Sequence, residues 1–236
     1  MKKPPLIAIV VLVALTLPGP ANAAPKPKST SNYTVLPPFL SASARGSCWT
    51  SCVWSDGNTA TTTQTASTSG ELTARASVTS PESGNHPTLT TRTVSSNASL
   101  YTESRIGALT RPKAFVEFES HSLSSSTAGL GTCKGRAETR GEVTVTASDG
   151  RLTGTIFFWS SQSDTVPWGP PHETVGSGAF EIDLAPTCEG CWESSPAGTA
   201  TVSFDVRAIA QMGQGCSGTA TAETQYKVKS IRFVSH

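Results

Sequence analysis

The sequence predicts an all-β protein: an antiparallel β-sandwich of jelly-roll-like form, stabilised by disulfides and preceded by a cleaved signal peptide. Three observations carry this reading. Apolar and polar residues alternate in segment after segment, the pattern of strands with one buried face. Turn residues punctuate those segments, and no stretch after residue 24 shows an apolar 3.6-residue repeat. The 32 Ser and 33 Thr make up 65 of 236 residues, and β-branched Thr suits a pleated, half-exposed surface while its hydroxyl keeps that surface wet. With only 15% charged residues the chain does not match a coiled coil or long helical bundle. A net charge of +1 without any basic block argues against a nucleic-acid partner.

The elements follow in order. Lys2 and Lys3 precede an apolar run from Leu6 to Leu17, Pro18 and Pro20 break it, and Ala21-Asn22-Ala23 fits signal peptidase, so residues 1–23 are expected to be removed after Ala23. The run is too short to span a bilayer, so no membrane insertion is expected once the signal is cleaved. The mature chain then carries 16 bases against 17 acids. Residues 24–44, with four Pro and no periodic pattern, read as an extended leader. Residues 45–236 read as one sandwich of roughly nine to eleven strands, with a possible split near 110 at Arg111-Pro112.

Within that domain the alternating runs are Leu72 to Val78, Val116 to Phe118, Val143 to Ala147, Phe180 to Leu184, Ala200 to Ala208 and Tyr226 to Val228. Asp149-Gly150 between two such runs predicts a hairpin. Thr59, Thr61, Thr63 and Thr65 would project from one side of a strand, although Ser55–Ser69 otherwise reads as low-complexity.

Six cysteines in an exported chain predict three disulfides among Cys48, Cys52, Cys133, Cys188, Cys191 and Cys216. Cys133 and Cys216 each open a C-x-G-x-A stretch, which would suit neighbouring strands bridged at their starts, leaving the other four as local or crosswise pairs. Cys188-Glu-Gly-Cys191 is a lone C-x-x-C with no helix for a redox site and no matched pair for zinc, so neither cofactor nor metal is expected.

Trp49, Trp54 and Trp192 neighbour cysteines and are expected to cover cystines. Trp168 sits in the stiff Pro167-Trp168-Gly169-Pro170-Pro171 loop, where an outward indole could stack on a sugar ring. In the run Ile156 to Trp159 only one alternate pair can face the core; the other, Phe157 and Trp159, is either covered by a loop, the favoured reading, or presented to a ligand.

Catalytic candidates are sparse. On a strand Glu117, Glu119 and His121, at i, i+2 and i+4, share one face, with neighbours roughly 7 Å apart at Cα. That is within the about 5–9 Å that glycoside hydrolysis asks of two carboxyls. The same pattern also fits a solvated polar face. No G-x-S-x-G and no phosphate loop occurs. The function expected is that of a secreted, non-catalytic binding protein for a carbohydrate or cell-envelope component, with Trp168, Trp159 and Phe157 as candidate contacts. The alternatives are a polysaccharide-acting enzyme of hydrolase or lyase type and a structural or interaction protein of the envelope or matrix.

Overall fold

In the computed structural model, the structure describes residues 32–48, 51–54, 57–81, 91–109, 111–130, 135–163, 172–187, 196–213 and 217–235. They form thirteen strands: β1 (Asn32–Val35), β2 (Ser41–Gly46), β3 (Ser51–Val53), β4 (Thr59–Ala66), β5 (Glu71–Ser80), β6 (Arg92–Ile106), β7 (Lys113–Leu130), β8 (Gly135–Ala147), β9 (Leu152–Ser163), β10 (His172–Asp183), β11 (Ala185–Pro186), β12 (Gly198–Met212) and β13 (Ser217–Val234).

They make two antiparallel sheets. A seven-stranded sheet runs β10-β7-β13-β5-β4-β3, with β1 pairing β13 beyond the end of β5, and a six-stranded sheet runs β11-β9-β8-β12-β6-β2. The sandwich predicted by alternation is therefore the architecture found. The chain crosses between sheets at β1–β2, β2–β3, β5–β6, β6–β7, β7–β8, β9–β10, β10–β11 and β12–β13, which ties the layers together. The described part of the stretch read as a leader differs: β1 adds to β13 and β2 edges the six-stranded sheet, so residues 32–44 belong to the fold. Their short length and prolines hide any alternation. Tyr33 shows what they contribute, since its phenol packs where Gly107 has no side chain.

The alternation works as predicted. Leu72, Ala74, Ala76 and Val78 of β5, and Ala200 through Ala210 at even positions of β12, are buried between the layers. The outward positions carry the hydroxyls, which pair across strands: Ser77 with Thr221 at 2.9 Å, Thr79 with Thr219 at 3.2 Å and Thr144 with Thr155 at 3.2 Å. Such cross-strand pairs stabilise a sheet without charge. The segment read as low-complexity forms β4, with Thr59, Thr61, Thr63 and Thr65 on its exposed side.

The Asp149-Gly150 hairpin joins β8 to β9, with Ser148, Asp149 and Gly150 all at positive φ (54°, 57° and 83°). A turn of that hand suits residues that tolerate the left-handed region. Asp149 also accepts a 2.9 Å hydrogen bond from the Thr199 amide, fixing the turn to β12.

The interior changes character along its length. The middle holds a ring cluster in which Phe118 lies 5.3–6.3 Å from His121, Phe158, Phe180, Phe204 and Tyr226. One end, where β8 begins and β12 finishes, is built from Ala137, Ala208, Ala210, Ala220 and Ala222. There the layers meet closely: a Cβ on Gly135 of β8 would stand 3.5 Å from Thr127 Cγ2 of β7.

Cys48 and Cys52 form a disulfide, with Cα atoms 5.7 Å apart, and Thr62 Oγ1 donates to the Cys48 carbonyl beside it. Trp54 is partly buried against the core, with the Arg92 guanidinium 5.0 Å above its ring. Cys133, Cys188, Cys191 and Cys216, with Trp49 and Trp192, lie outside the described residues.

Candidate functional site

The catalytic trio does not converge. Along β7 the buried positions run Ala114, Val116, Phe118, then His121 and Leu123, with Glu119 and Ser120 both exposed. Irregular register sets this phase change: Lys227 pairs Ser120, Val228 pairs Phe118 and Ser230 pairs Glu117, so Glu119 is skipped, and β10 shifts between Gly176 and Gly178 alongside. One extra residue in a strand turns everything after it to the other face. His121 consequently points into the sandwich at 6% exposure, while Glu117 and Glu119 stay outside, correcting the expectation of a shared face. Glu117 accepts from Lys229 Nζ at 2.7 Å and Ser230 Oγ at 3.0 Å. Those two bonds, Lys229 first, hold its carboxyl below the usual range, so it is not set up to deliver a proton. Glu119 pairs with Lys227 at 3.1 Å.

Further charged contacts lie on that outer face. Arg75 meets Glu223 at 3.6 Å, Lys113 meets Glu181 and lies 3.2 Å from Asp183, and Arg232 lies over the Phe115 ring at 5.5 Å. Hydrogen bonds from Glu181 first and Asp183 second hold the Lys113 ammonium above its usual pKa.

The outer face of the six-stranded sheet is different. Phe157 stands on it at 56% exposure, while Ile156 and Phe158 turn inward against the core. The outward aromatic position is thus open, where a covering loop was the favoured expectation. Arg140, one strand over on β8, lays its guanidinium 5.0 Å from the Phe157 centroid and bonds Glu142 Oε2 at 3.1 Å. Glu142 is itself directly opposite Phe157 in the β8–β9 ladder. The carboxylate therefore fixes the arginine, and the arginine props the ring.

Around this ring the face is polar and in register. One row across the strands is Phe157, Glu142, Asp205, Ser99 and Ser43; the next is Trp159, Arg140, Arg207, Asn97 and Arg45. A further row brings Thr155, Thr144, Ser203, Tyr101 and Ser41 together. Tyr101 donates to Glu103 Oε2 at 3.2 Å, and its phenol is pushed above the ordinary value by desolvation first and Glu103 second. Trp159 takes part in β9 through its backbone opposite Arg140; its side chain, and all of Trp168, lie outside the described residues. Among the described residues no three His, Cys, Asp or Glu side chains gather as a metal-ligand set.

Sequence reasoning reached Phe157 but not Arg45, Asn97, Arg140 or Arg207. Each is an unremarkable polar position in its own strand, and only strand pairing across more than 160 residues of chain places them in one line.

No protein-family model and no curated protein matches the sequence. Among solved structures, the chain is similar to one described under "Structural basis for the promiscuous specificity of the carbohydrate-binding modules from the beta-sandwich super family", at 9% identity and a TM-score of 0.22. The match covers 80% of this chain and 56% of that one, so this chain spans a little over half of that protein's length.

Proposed function

We propose that this chain is a secreted, non-catalytic binding protein whose ligand is a carbohydrate or a cell-envelope polysaccharide, taken on the outer face of the six-stranded sheet. The observation that carries the reading is the Phe157 ring: exposed, held in orientation by Arg140, and surrounded by in-register hydroxyl, amide and charged side chains. An aromatic ring offers its face to the C–H side of a sugar, and neighbouring Ser, Thr and Asn groups exchange hydrogen bonds with its hydroxyls. The N-terminal stretch read as an export signal and the Cys48–Cys52 bridge favour an oxidising, extracellular setting.

Affinity electrophoresis of the mature chain through gels containing polysaccharides tests it. Retardation by at least one polysaccharide is expected, lost in Phe157→Ala with the melting temperature unchanged. A Trp168→Ala variant asks whether the Pro-rich loop contributes. Unretarded migration of the wild type through every polymer overturns the reading, and unchanged retardation of Phe157→Ala removes this face from the site.

A further inference from the structure

We infer that the line Arg45–Asn97–Arg207–Arg140 selects an acidic polysaccharide, one whose sugars carry carboxylates; the inference rests on the carbohydrate reading of the same face. The four residues are direct neighbours across β2, β6, β12 and β8, each opposite the next. At about 4.8 Å per strand step, Arg45 and Arg207 stand about 10 Å apart, the span of a disaccharide in an extended chain, with the Asn97 amide between them.

Their partners set them apart. On the seven-stranded outer face, Glu71, Glu117, Glu119, Glu181, Asp183 and Glu223 each have a Lys or Arg partner. On the six-stranded face Arg140 is held by Glu142, but Arg45 and Arg207 are exposed and have no partner among the described residues. The nearest acid along the Arg207 strand, Asp205, accepts from Ser203 Oγ at 2.8 Å. Arg207 is moreover opposite Arg140, and like charges placed opposite one another work against the sheet. A pair of free guanidiniums aligned with a propped aromatic ring fits a ligand that brings its own anions: each guanidinium can fork onto one carboxylate, while Phe157 takes a ring face.

The test compares the mature wild-type chain with Arg45→Gln, Arg207→Gln and the double variant. Ligands are polygalacturonate, alginate and hyaluronan, each alongside its carboxyl-reduced neutral form, with poly-L-glutamate as a polyanion without sugar. Binding to at least one uronate polymer is expected, much tighter than to its reduced form. It should weaken when salt shortens the Debye length from about 10 Å to about 3 Å. Each single variant should lose affinity about ten-fold, the lower end of a charged hydrogen bond, and the double variant should lose both contributions with its melting temperature kept. Equal binding of acidic and reduced polymers, or an unaffected double variant, overturns the anionic inference and leaves the carbohydrate reading standing. Retention of neutral polysaccharides alone does the same. Equal binding of poly-L-glutamate overturns the sugar part of the inference, and binding of no polysaccharide at all overturns both readings.

Discussion

His121 lies stacked on Tyr226 inside the sandwich, ring centroids 6.1 Å apart and planes 22° apart, and neither His121 Nδ1 nor Tyr226 Oη has a hydrogen-bond partner among the described residues. The two residues are opposite one another in the β7–β13 ladder and nearly fully buried. Burial pushes the imidazole pKa down from 6.5 and the phenol pKa up, so both rings are neutral in the fold near pH 7.

The first prediction is a stability loss in acid that belongs to His121. The groups facing it are Phe118 on its own strand, Phe158 on β9, Phe180 on β10 and Tyr226 on β13, with no carboxylate among the described residues to welcome a proton. With its folded pKa depressed, the unfolded chain binds the proton more readily. Stability is then complete above pH about 6.5 and falls as pH drops below it, down through the folded pKa. His121→Phe, an aromatic among aromatics, should flatten the melting-temperature slope between pH 7 and pH 5. Identical slopes in both proteins would show that His121 is not the group responsible.

A second prediction concerns Tyr226 and Gly141. The Tyr226 ring reaches across the core to Gly141 of β8, where an added Cβ would stand 2.9 Å from Cζ and closer still to Oη. Gly141→Ala therefore overpacks the core and should cost about 1–3 kcal/mol in urea denaturation. Tyr226→Phe removes an unpartnered buried hydroxyl and should be close to neutral or stabilising. It also removes the atom that clashes most closely with the alanine, leaving Cζ to shift by a few tenths of an ångström, so the double variant should be more stable than Gly141→Ala alone. Simple additivity in that cycle would contradict the contact.

These two residues also show where the sequence could be read and where it could not. Tyr226 and Val228 alternate with Lys227 and Lys229, which placed the tyrosine inward, as found. His121 could not be placed, because its orientation depends on one skipped residue at Glu119, and a bulge leaves no mark in a two-residue period. β1 and β2 escaped for want of length, being four and six residues with little apolar alternation. On the candidate face Phe157 was legible because four consecutive apolar residues cannot all be inside. The arginine row was not, since register between distant strands is fixed by the whole sheet.

The third prediction separates binding from hydrolysis. Glu117 is tied to Lys229 and Ser230, Glu119 to Lys227, and His121 is on the opposite side of the sheet. Glu117→Gln and Glu119→Gln should leave polysaccharide retention unchanged. No reducing ends should be released from any retained polymer by the wild type. Release of reducing ends that both variants abolish would restore these carboxylates to a catalytic role.

The last prediction is the pairing of the remaining cysteines, a proposal that the flanking strands support. Leu130, at the end of β7, is opposite Ser217 at the start of β13, and Met212 at the end of β12 is opposite Gly135 at the start of β8. Cys133 falls in the short connection between Leu130 and Gly135, and Cys216 immediately precedes Ser217. Both connections join strands of opposite sheets at the alanine-lined end. Consecutive Cα atoms are about 3.8 Å apart, so a bridge with Cα atoms about 5.5–6 Å apart is within reach of these strand ends. It would close a long loop and contribute about 4–5 kcal/mol by restricting the unfolded chain. With Cys48 joined to Cys52, this leaves Cys188 to pair with Cys191. Peptide mapping of the alkylated, non-reduced mature protein should yield a Cys133–Cys216 cross-linked peptide, and Cys133→Ser with Cys216→Ser should lower the melting temperature. A peptide joining Cys133 to Cys188 or Cys191, or an alkylated Cys133, would refute the assignment.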